Sequence, residues 1–421
     1  MILVAGLGVT GQSVLSFLHT KKENCIAFDT RANFDVRSLE ISYPNIPIFI
    51  EKLPKNMAER VSKIILSPGI AVNSPWLSSF KEKKIPIIGD IELFATLADK
   101  PIISITGSNG KSTVTSLVTE VLNEAGYQVG MGGNIGVPVL DLLNDQKTYD
   151  VYVLELSSFQ LETTYSLHSV SATILNICED HMDRYDSFDD YVTAKKRIFK
   201  HAETIVLPDF YKQAYNVENA VFFGGSQLLL NNQPIMPVEE MALQGKHHLL
   251  NAQATIALTK YFNISAVDYK TVFQRYKGLA HRTQTVLIHN EVEWVNDSKG
   301  TNVGATLTAI KTLSSKANGL ILIAGGVGKG ADFSPLKKAV HEYCKQVILF
   351  GRDANLINDC LNYSHTYQVN NLAEAIKQAA IEAESGDIVL FSPACASFDQ
   401  YKNYEERGDV FECLVKKECD V

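Results

Sequence analysis

Residues 101–113 read PIISITGSNGKST, and that stretch decides the fold. PIISIT is a short apolar run suited to a buried strand. A glycine-rich turn carrying Lys111 follows, then Ser112 and Thr113. Val114, Leu117, Val118, Val121 and Leu122 recur at helical spacing, and Gly126 supplies a stop. A strand, glycine turn and helix in this order aim backbone N–H groups and the positive end of the helix at an anion. A lysine there reaches β- and γ-phosphates, and a serine or threonine hydroxyl holds Mg²⁺. Gly107, Asn109, Gly110, Lys111, Ser112 and Thr113 are therefore the expected nucleoside-triphosphate loop. The pattern G-x-x-x-x-G-K-[ST] would put glycine at 105, where the chain has Ile105, so this is the shorter variant T-G-x-N-G-K-[ST].

Around this loop the chain reads as soluble α/β protein. Its 421 residues suggest two or three domains of roughly 100–200 residues each. A hydrophobic share of 46% and a charged share of 20% are ordinary for a globular fold. A net charge of −8 argues against a general nucleic-acid binder, so an anionic ligand must be held by local cations and amides. No apolar run approaches a membrane span, and the opening MILVAGLG runs straight into a strand. Seven cysteines without C-x-x-C pairing fit reduced thiols, and the expected location is the cytoplasm.

Three segments emerge, giving an α/β fold of three domains. Residues 1–89 alternate the strands ILVAG, CIAFD, PIFI, KIILSPG and PIIG with helices, as in a Rossmann-like parallel sheet. Residues 90–278 hold the phosphate loop, with strands PIISIT, YDVYVLEL, SATILNI and TIVLP. Between Phe210 and Pro237 a small antiparallel excursion is expected, and KHHLLNAQATIALTKYF reads as a helix. Residues 279–421 place EVEWVND, GLILIAGG, QVILFG and DIVLFS in a second Rossmann-like sheet. Ligands belong at the carboxyl edges of such sheets.

Gly6, Gly8 and Gly11 form G-x-G-x-x-G after the first strand, and Asp29 ends the second. The spacing suits a pyrophosphate, with Asp29 on a ribose hydroxyl. Thr10, Thr30 and Arg31 suit a nucleotide diphosphate as well as NAD, and glycines serving only strand–helix packing give the same spacing. In the middle segment Glu155 ends a strand and can face the hydroxyls of Ser112 and Thr113 across Mg²⁺. His181, in ICEDHMDRY, is either a second metal ligand or a solvated histidine. Asn134 can orient a phosphate or a metal-bound water. Oxygen ligands favour Mg²⁺ over zinc. Lys195 and Lys196 read by default as solvated helix residues. Near the carboxyl end, Asp297, Lys299, Thr301 and Asn302 follow a strand, Lys329 sits on another glycine turn, and Arg282 opens the segment. Ser397 and Tyr404 lie in SPACASFDQYKNYEERG. Cys395 has no nearby histidine in sequence and reads as structural.

Taken together, GLGVTG with DTR, SPGI, TGSNGKST, GGNIG, ELSSFQLE, DHMDRY, YVTAKKRIF, NDSKGTN, GGVGKGADFSPL and SPACASFDQ resemble the Mur ligase family over essentially the whole length. The resemblance implies that Val9, Thr10, Asp29, Thr30, Arg31 and Gly69, with Asn134, surround the UDP-linked substrate. It implies ATP contacts from Gly107, Asn109 to Thr113, Asn251, Arg282 and Asp297. Lys299, Thr301, Lys329, Ser397 and Tyr404 would receive D-glutamate. Two Mg²⁺ sites would draw on Ser112 or Thr113 with Glu155, and on His181. The family also carries a lysine carbamylated by CO₂ that bridges to the second metal. The A-K-x-R-I pattern selects Lys195, with Lys196 the register alternative.

The reaction implied joins UDP-N-acetylmuramoyl-L-alanine to D-glutamate through an acyl phosphate, in peptidoglycan precursor synthesis by a monomer. Lys111, Glu155, His181 and Lys195 would be the catalytic set. The chain departs from the family in two places. His248 stands where the helix usually carries an asparagine, and Tyr404 where phenylalanine is frequent. Rival readings are a nicotinamide dehydrogenase, a non-catalytic nucleotide switch, and another Mur-type or folylpolyglutamate-type ligase.

Overall fold

The computed structural model describes residues 1–213, 220–314 and 316–420. Five short apolar strands, β1 (Ile2–Ala5), β2 (Cys25–Asp29), β3 (Ile48–Ile50), β4 (Lys63–Leu66) and β5 (Ile87–Ile88), form a parallel sheet in the order β3-β2-β1-β4-β5. Helix α1 (Val9–Thr20) leaves the glycine turn after β1 and buries Val14, Leu15, Phe17 and Leu18. A Cβ on Gly11 would lie 1.8 Å from the Gly6 carbonyl oxygen, so this turn admits only glycine there. Helix α2 (Asp90–Ala95) then leads into the middle of the chain.

Its sheet is parallel and six-stranded. It comprises β6 (Ile102–Thr106), β7 (Val129–Gly133), β8 (Val151–Glu155), β9 (Ser171–Ile174), β10 (Ile205–Pro208) and β11 (Ala220–Phe223). The order is β11-β10-β9-β6-β8-β7, which puts the phosphate-loop strand near the centre with Glu155 on its neighbour. Every residue of β6 and β8 is buried, as a parallel strand covered on both faces requires. Helix α3 (Lys111–Glu124) turns Val114, Leu117, Val118, Val121 and Leu122 inward, the stripe expected from their spacing. Helix α4 (Phe188–Lys196) buries Tyr191, Ala194 and Lys195. The antiparallel excursion is the hairpin β12 (Leu228–Leu230) and β13 (Gln233–Met236), while its portion 214–219 lies outside the described residues. Helix α5 runs over Lys246–Leu258.

The last sheet contains β14 (Gln284–His289), β15 (Val292–Asn296), β16 (Leu320–Gly325), β17 (Cys344–Phe350), β18 (Thr366–Gln368) and β19 (Ile388–Phe391). Its order is β14-β15-β19-β16-β17-β18, parallel except for the β14–β15 hairpin. Helix α6 (Val303–Leu313) starts at Asn302, whose side chain accepts the Ala305 N–H, and α7 (Tyr404–Glu418) closes the chain. Strands Val129–Gly133, Ala220–Phe223, Gln284–His289 and Thr366–Gln368 add to those expected from the sequence.

Two compact units result. One comprises Met1–Asn176, Asp189–Met241 and Leu250–Arg275; the other comprises Ile177–Phe188, Ala242–Leu249 and Tyr276–Val421. The loop carrying His181 packs with the carboxy-terminal sheet rather than with the strand that precedes it. Among the described residues, no helix is long and apolar enough to cross a membrane.

Candidate active site

The phosphate loop is built by backbone geometry that only glycine tolerates. Gly107 and Gly110 have φ +154° and +82°, and Gly110 opens α3 as its N-cap. The loop is pinned from the neighbouring strand. The Asn109 N–H donates to Asn176 Oδ1 at 2.8 Å, and Asn176 Nδ2 returns a bond to the Asn109 carbonyl at 2.9 Å. Lys111 Nζ folds back onto the carbonyls of Gly107 and Ser108, both at 2.9 Å. Ser112 and Thr113 are buried in the first turn of α3, where the helix end favours an anion. Asn251 reaches the same turn, since a Cβ on Gly110 would meet its Oδ1 at 3.0 Å.

Lys195 overturns its default reading as a solvated residue. It is 2% exposed, and its Nζ donates to the Gly107 carbonyl at 3.0 Å, whereas Lys196 is exposed. Two lysines from different helices therefore converge on one carbonyl oxygen of the loop.

Glu155 is buried at the end of β8. Its Oε1 accepts Asn134 Nδ2 at 2.7 Å, and its backbone carbonyl accepts the Asn134 N–H at 2.8 Å. Its Oε2 is buried without a partner. An unmet buried carboxylate oxygen fits a hard divalent cation. Among the described residues no group of three His, Cys, Asp or Glu could chelate a metal unaided. Hydroxyl and substrate phosphate oxygens must complete the shell, which is how Mg²⁺ is usually held.

In the second unit, His181 has φ +60° and lies 3.7 Å from its neighbour Asp180. Asp180 was not singled out from the sequence, where it was one of several carboxylates. It is buried, pairs with Lys329, and accepts Asn302 Nδ2 at 3.1 Å and the His181 N–H at 2.9 Å. Asp297 is buried with both oxygens engaged, by Ser392 Oγ at 2.6 Å and the Thr283 N–H at 3.0 Å. Burial pushes its pKa up to about 6, against hydrogen bonds from Ser392 and Thr283 and the charge of Arg282. Lys299 Nζ sits 3.8 Å from the centre of the Tyr404 ring. Gly300 adjoins Thr301, and a Cβ there would meet Asp297 Oδ2 at 2.6 Å. Ser397 is buried beside Cys395, whose thiol burial pushes up to about 12, which removes it as a nucleophile.

In the amino-terminal sheet Val9, Thr30, Arg31 and Gly69 are exposed and Thr10 is half-buried. Asp29 does not offer itself to a ribose. Its Oδ2 accepts the Leu7 N–H and Arg31 Nη2, both at 2.7 Å, and its Oδ1 accepts the Arg31 N–H and Nε at 2.9 and 2.8 Å. Four acceptor positions are filled, so the acid closes the glycine turn from within. Burial raises its pKa, but those bonds outweigh burial and hold the carboxyl below its usual value.

Comparison with known proteins identifies the family. Residues 1–89 match the family model described as "Mur ligase MurD-like, N-terminal domain". Residues 105–224 match "Mur ligase middle domain", and 281–395 match "Mur ligase, glutamate ligase domain". The chain is 51% identical to the UDP-N-acetylmuramoylalanine–D-glutamate ligase of Hydrogenovibrio crunogenus, covering 99% of this chain and 98% of that one. The Coxiella burnetii enzyme of the same name is 42% identical over 98% and 97%. Solved structures share the fold at low identity. MurF ligase from Thermotoga maritima in complex with ADP matches with TM-score 0.63 at 15% identity, over 100% of this chain and 95% of that one. UDP-N-acetylmuramate-alanine ligase MurC from the same organism gives 0.60 at 17% over 99% of both. On these matches the chain belongs to the Mur ligase family.

Proposed function

We propose that the chain is an ATP-dependent ligase that joins the alanyl carboxyl group of UDP-N-acetylmuramoyl-L-alanine to the amine of D-glutamate. The observation that carries this reading is the phosphate loop with the unpartnered Glu155 Oε2 on the adjacent strand. The name shared by full-length relatives supports the choice of substrates. Residues 1–89 receive the UDP-linked substrate, 90–278 hold ATP, and 279–421 supply the amino-acid pocket and further ATP contacts. The enzyme works as a cytoplasmic monomer.

The reaction has two steps. The alanyl carboxylate attacks the γ-phosphate and gives an acyl phosphate; the amine of D-glutamate then attacks the acyl carbon and phosphate leaves. Both steps gather negative charge, so fixed donors and cations are the main stabilisers. Lys111 leaves the carbonyls of Gly107 and Ser108 to meet phosphate oxygens, and the amides around Gly110 hold them in place. Glu155 with Ser112 or Thr113 would hold one Mg²⁺ and His181 the other. Mg²⁺ bound there would supply Lewis-acid charge neutralisation at the transferring phosphate. Lys299, Thr301, Lys329, Ser397 and Tyr404 receive D-glutamate.

Lys195, buried where Lys196 is not, is the lysine we assign to carbamylation. The test has two parts. Phosphate release is measured with UDP-N-acetylmuramoyl-L-alanine, ATP and either D- or L-glutamate, and only D-glutamate should sustain turnover. Lys195→Ala should lose activity and regain part of it with short carboxylic acids. Turnover with both glutamate enantiomers alike sinks the substrate assignment. A Lys195→Ala enzyme as fast as wild type sinks the carbamate.

A further inference from the structure

Arg407 sits on α7, 1% exposed, and its hydrogen-bond partners are all neutral. Nε donates to Ser298 Oγ at 3.1 Å, Nη2 to the Ser298 carbonyl at 2.7 Å, and Nη1 to the Cys395 carbonyl at 3.1 Å. The Phe391 ring lies 5.8 Å away. Among the described residues, no carboxylate stands within ion-pair distance of it. A buried guanidinium outside any ion pair is costly.

The two loops it ties together carry the proposed amino-acid pocket. Ser298 precedes Lys299, and Cys395 lies two residues before Ser397. The other cations of that pocket, Lys299 and Lys329, are the ones assigned above to receive D-glutamate, and both have partners within the chain. Lys329 pairs with Asp180, and Lys299 lies over the Tyr404 ring. D-glutamate arrives with two carboxylates and one amine that must become neutral to react. We infer that Arg407 is a specificity-determining positioning residue: its charge, in no ion pair and held behind the Ser298–Thr301 and Cys395–Ser397 loops, makes the pocket select an amino acid with an acidic side chain. This rests on the function proposed above and names what sets its substrate class.

The experiment compares wild type with Arg407→Met and Arg407→Lys. Wild type is first assayed with D-glutamate, L-glutamate, D-aspartate and D-glutamine. Arg407→Met should raise the KM for the acidic amino acid at least tenfold, leave the KM for ATP within threefold, and narrow the preference over D-glutamine by a similar factor. Arg407→Lys keeps the charge only while the lysine is protonated. Its KM relative to wild type should climb between pH 7 and 9.5, because burial favours neutral lysine. The titratable groups whose charges act on this position are Asp297, Cys395, Asp399 and Tyr401, and they are common to both proteins. If Arg407→Met does not fold, this pH-dependent ratio decides alone. A ratio flat with pH, or a rise in KM shared equally by ATP and the amino acid, overturns the proposal. Should wild type prefer another acid, the D-glutamate assignment falls and the arginine is tested on that acid. Should it prefer D-glutamine, both fall.

Discussion

The chain contains two glycine turns between a parallel strand and a helix, and they are built for opposite charges. After β1 the turn is closed by an acid. Asp29 accepts the Leu7 N–H, and Arg31 fills its remaining acceptor positions. After β6 the turn is drawn together by cations, with Lys111 and Lys195 both donating to the Gly107 carbonyl. Glycine spacing thus specifies a tight turn and close helix packing. The charge on the flanking residues decides what can sit on it. A carboxylate 2.7 Å from Leu7 N takes that amide, so a diphosphate at the first turn must be met by other donors.

The largest test of that contrast is Lys111→Ala. Turnover should fall on the order of 10³-fold, as for loss of a single preorganised stabiliser, with little change in Tm. The matched change in the first turn, Thr10→Ala, should raise the KM for the UDP-linked substrate a few-fold and leave kcat within about twofold, since no developing charge is met there. Phosphate-release kinetics check both. A Lys111→Ala enzyme within tenfold of wild type would break the comparison.

Glycine itself supplies the next test. A Cβ on Gly11 would lie 1.8 Å from the Gly6 carbonyl oxygen, whereas a Cβ on Gly8 meets nothing within 4 Å. Gly8 also has an ordinary φ of −69°. Gly11→Ala should cost about 3 kcal/mol of stability or prevent folding, and Gly8→Ala should stay within about 0.5 kcal/mol. Urea unfolding measures each. Equal effects would mean that the middle glycine, like Gly11, serves the fold rather than a ligand.

The two turns also differ in how much of them could be read in advance. The phosphate loop announces itself because its glycines, lysine and hydroxyls lie within ten residues. Lys195 reads by default as solvated, although its neighbours hold a signal against that: Tyr191, Ala194, Lys195 and Ile198 fall on one helical face, and three of the four are apolar or aromatic, which places the lysine on the buried stripe. Arg407 carries the same signal, since Phe411 and Val415 follow at four-residue intervals. Asp180 was not separable, because DHMDRYDSFDD offers several acids and only the fold brings Lys329 and Asn302 to one of them. Strand Gln284–His289 was missed because its hairpin turns on Asn290 and Glu291, both at positive φ, without the glycine that usually marks such a turn.

Asp90 sharpens the comparison from the side of the acid. It starts α2 in the same unit as Asp29 and is also buried, but its Oδ1 has no partner, and burial pushes its pKa up to about 6. A folded pKa above the unfolded 3.8 means that the ionised carboxylate opposes folding, and the penalty grows as pH rises through 4 to 6. Asp90→Asn should therefore stabilise the protein by about 2 kcal/mol at pH 8, and the gain should vanish near pH 4. Thermal unfolding across pH checks it. A gain independent of pH would assign the effect to something other than ionisation.

Asp29 has the opposite sign and a smaller effect. Its folded pKa lies below the unfolded value, so its contribution is present above about pH 4 and is lost as pH falls through the folded pKa. Arg31→Met removes two of its four donors. The arginine side chain is 59% exposed, however, and solvent screens the pair. The loss at pH 7 should be about 0.5–1 kcal/mol and should shrink as pH falls through the folded pKa and the carboxyl becomes neutral. The Leu7 amide remains bound to the acid, so the turn should keep its shape and α1 its protection from hydrogen exchange. Collapse of that protection in Arg31→Met would show that the arginine, rather than the carboxylate it neutralises, holds the first turn together. The two turns would then both be organised by cations, and the contrast between them would disappear.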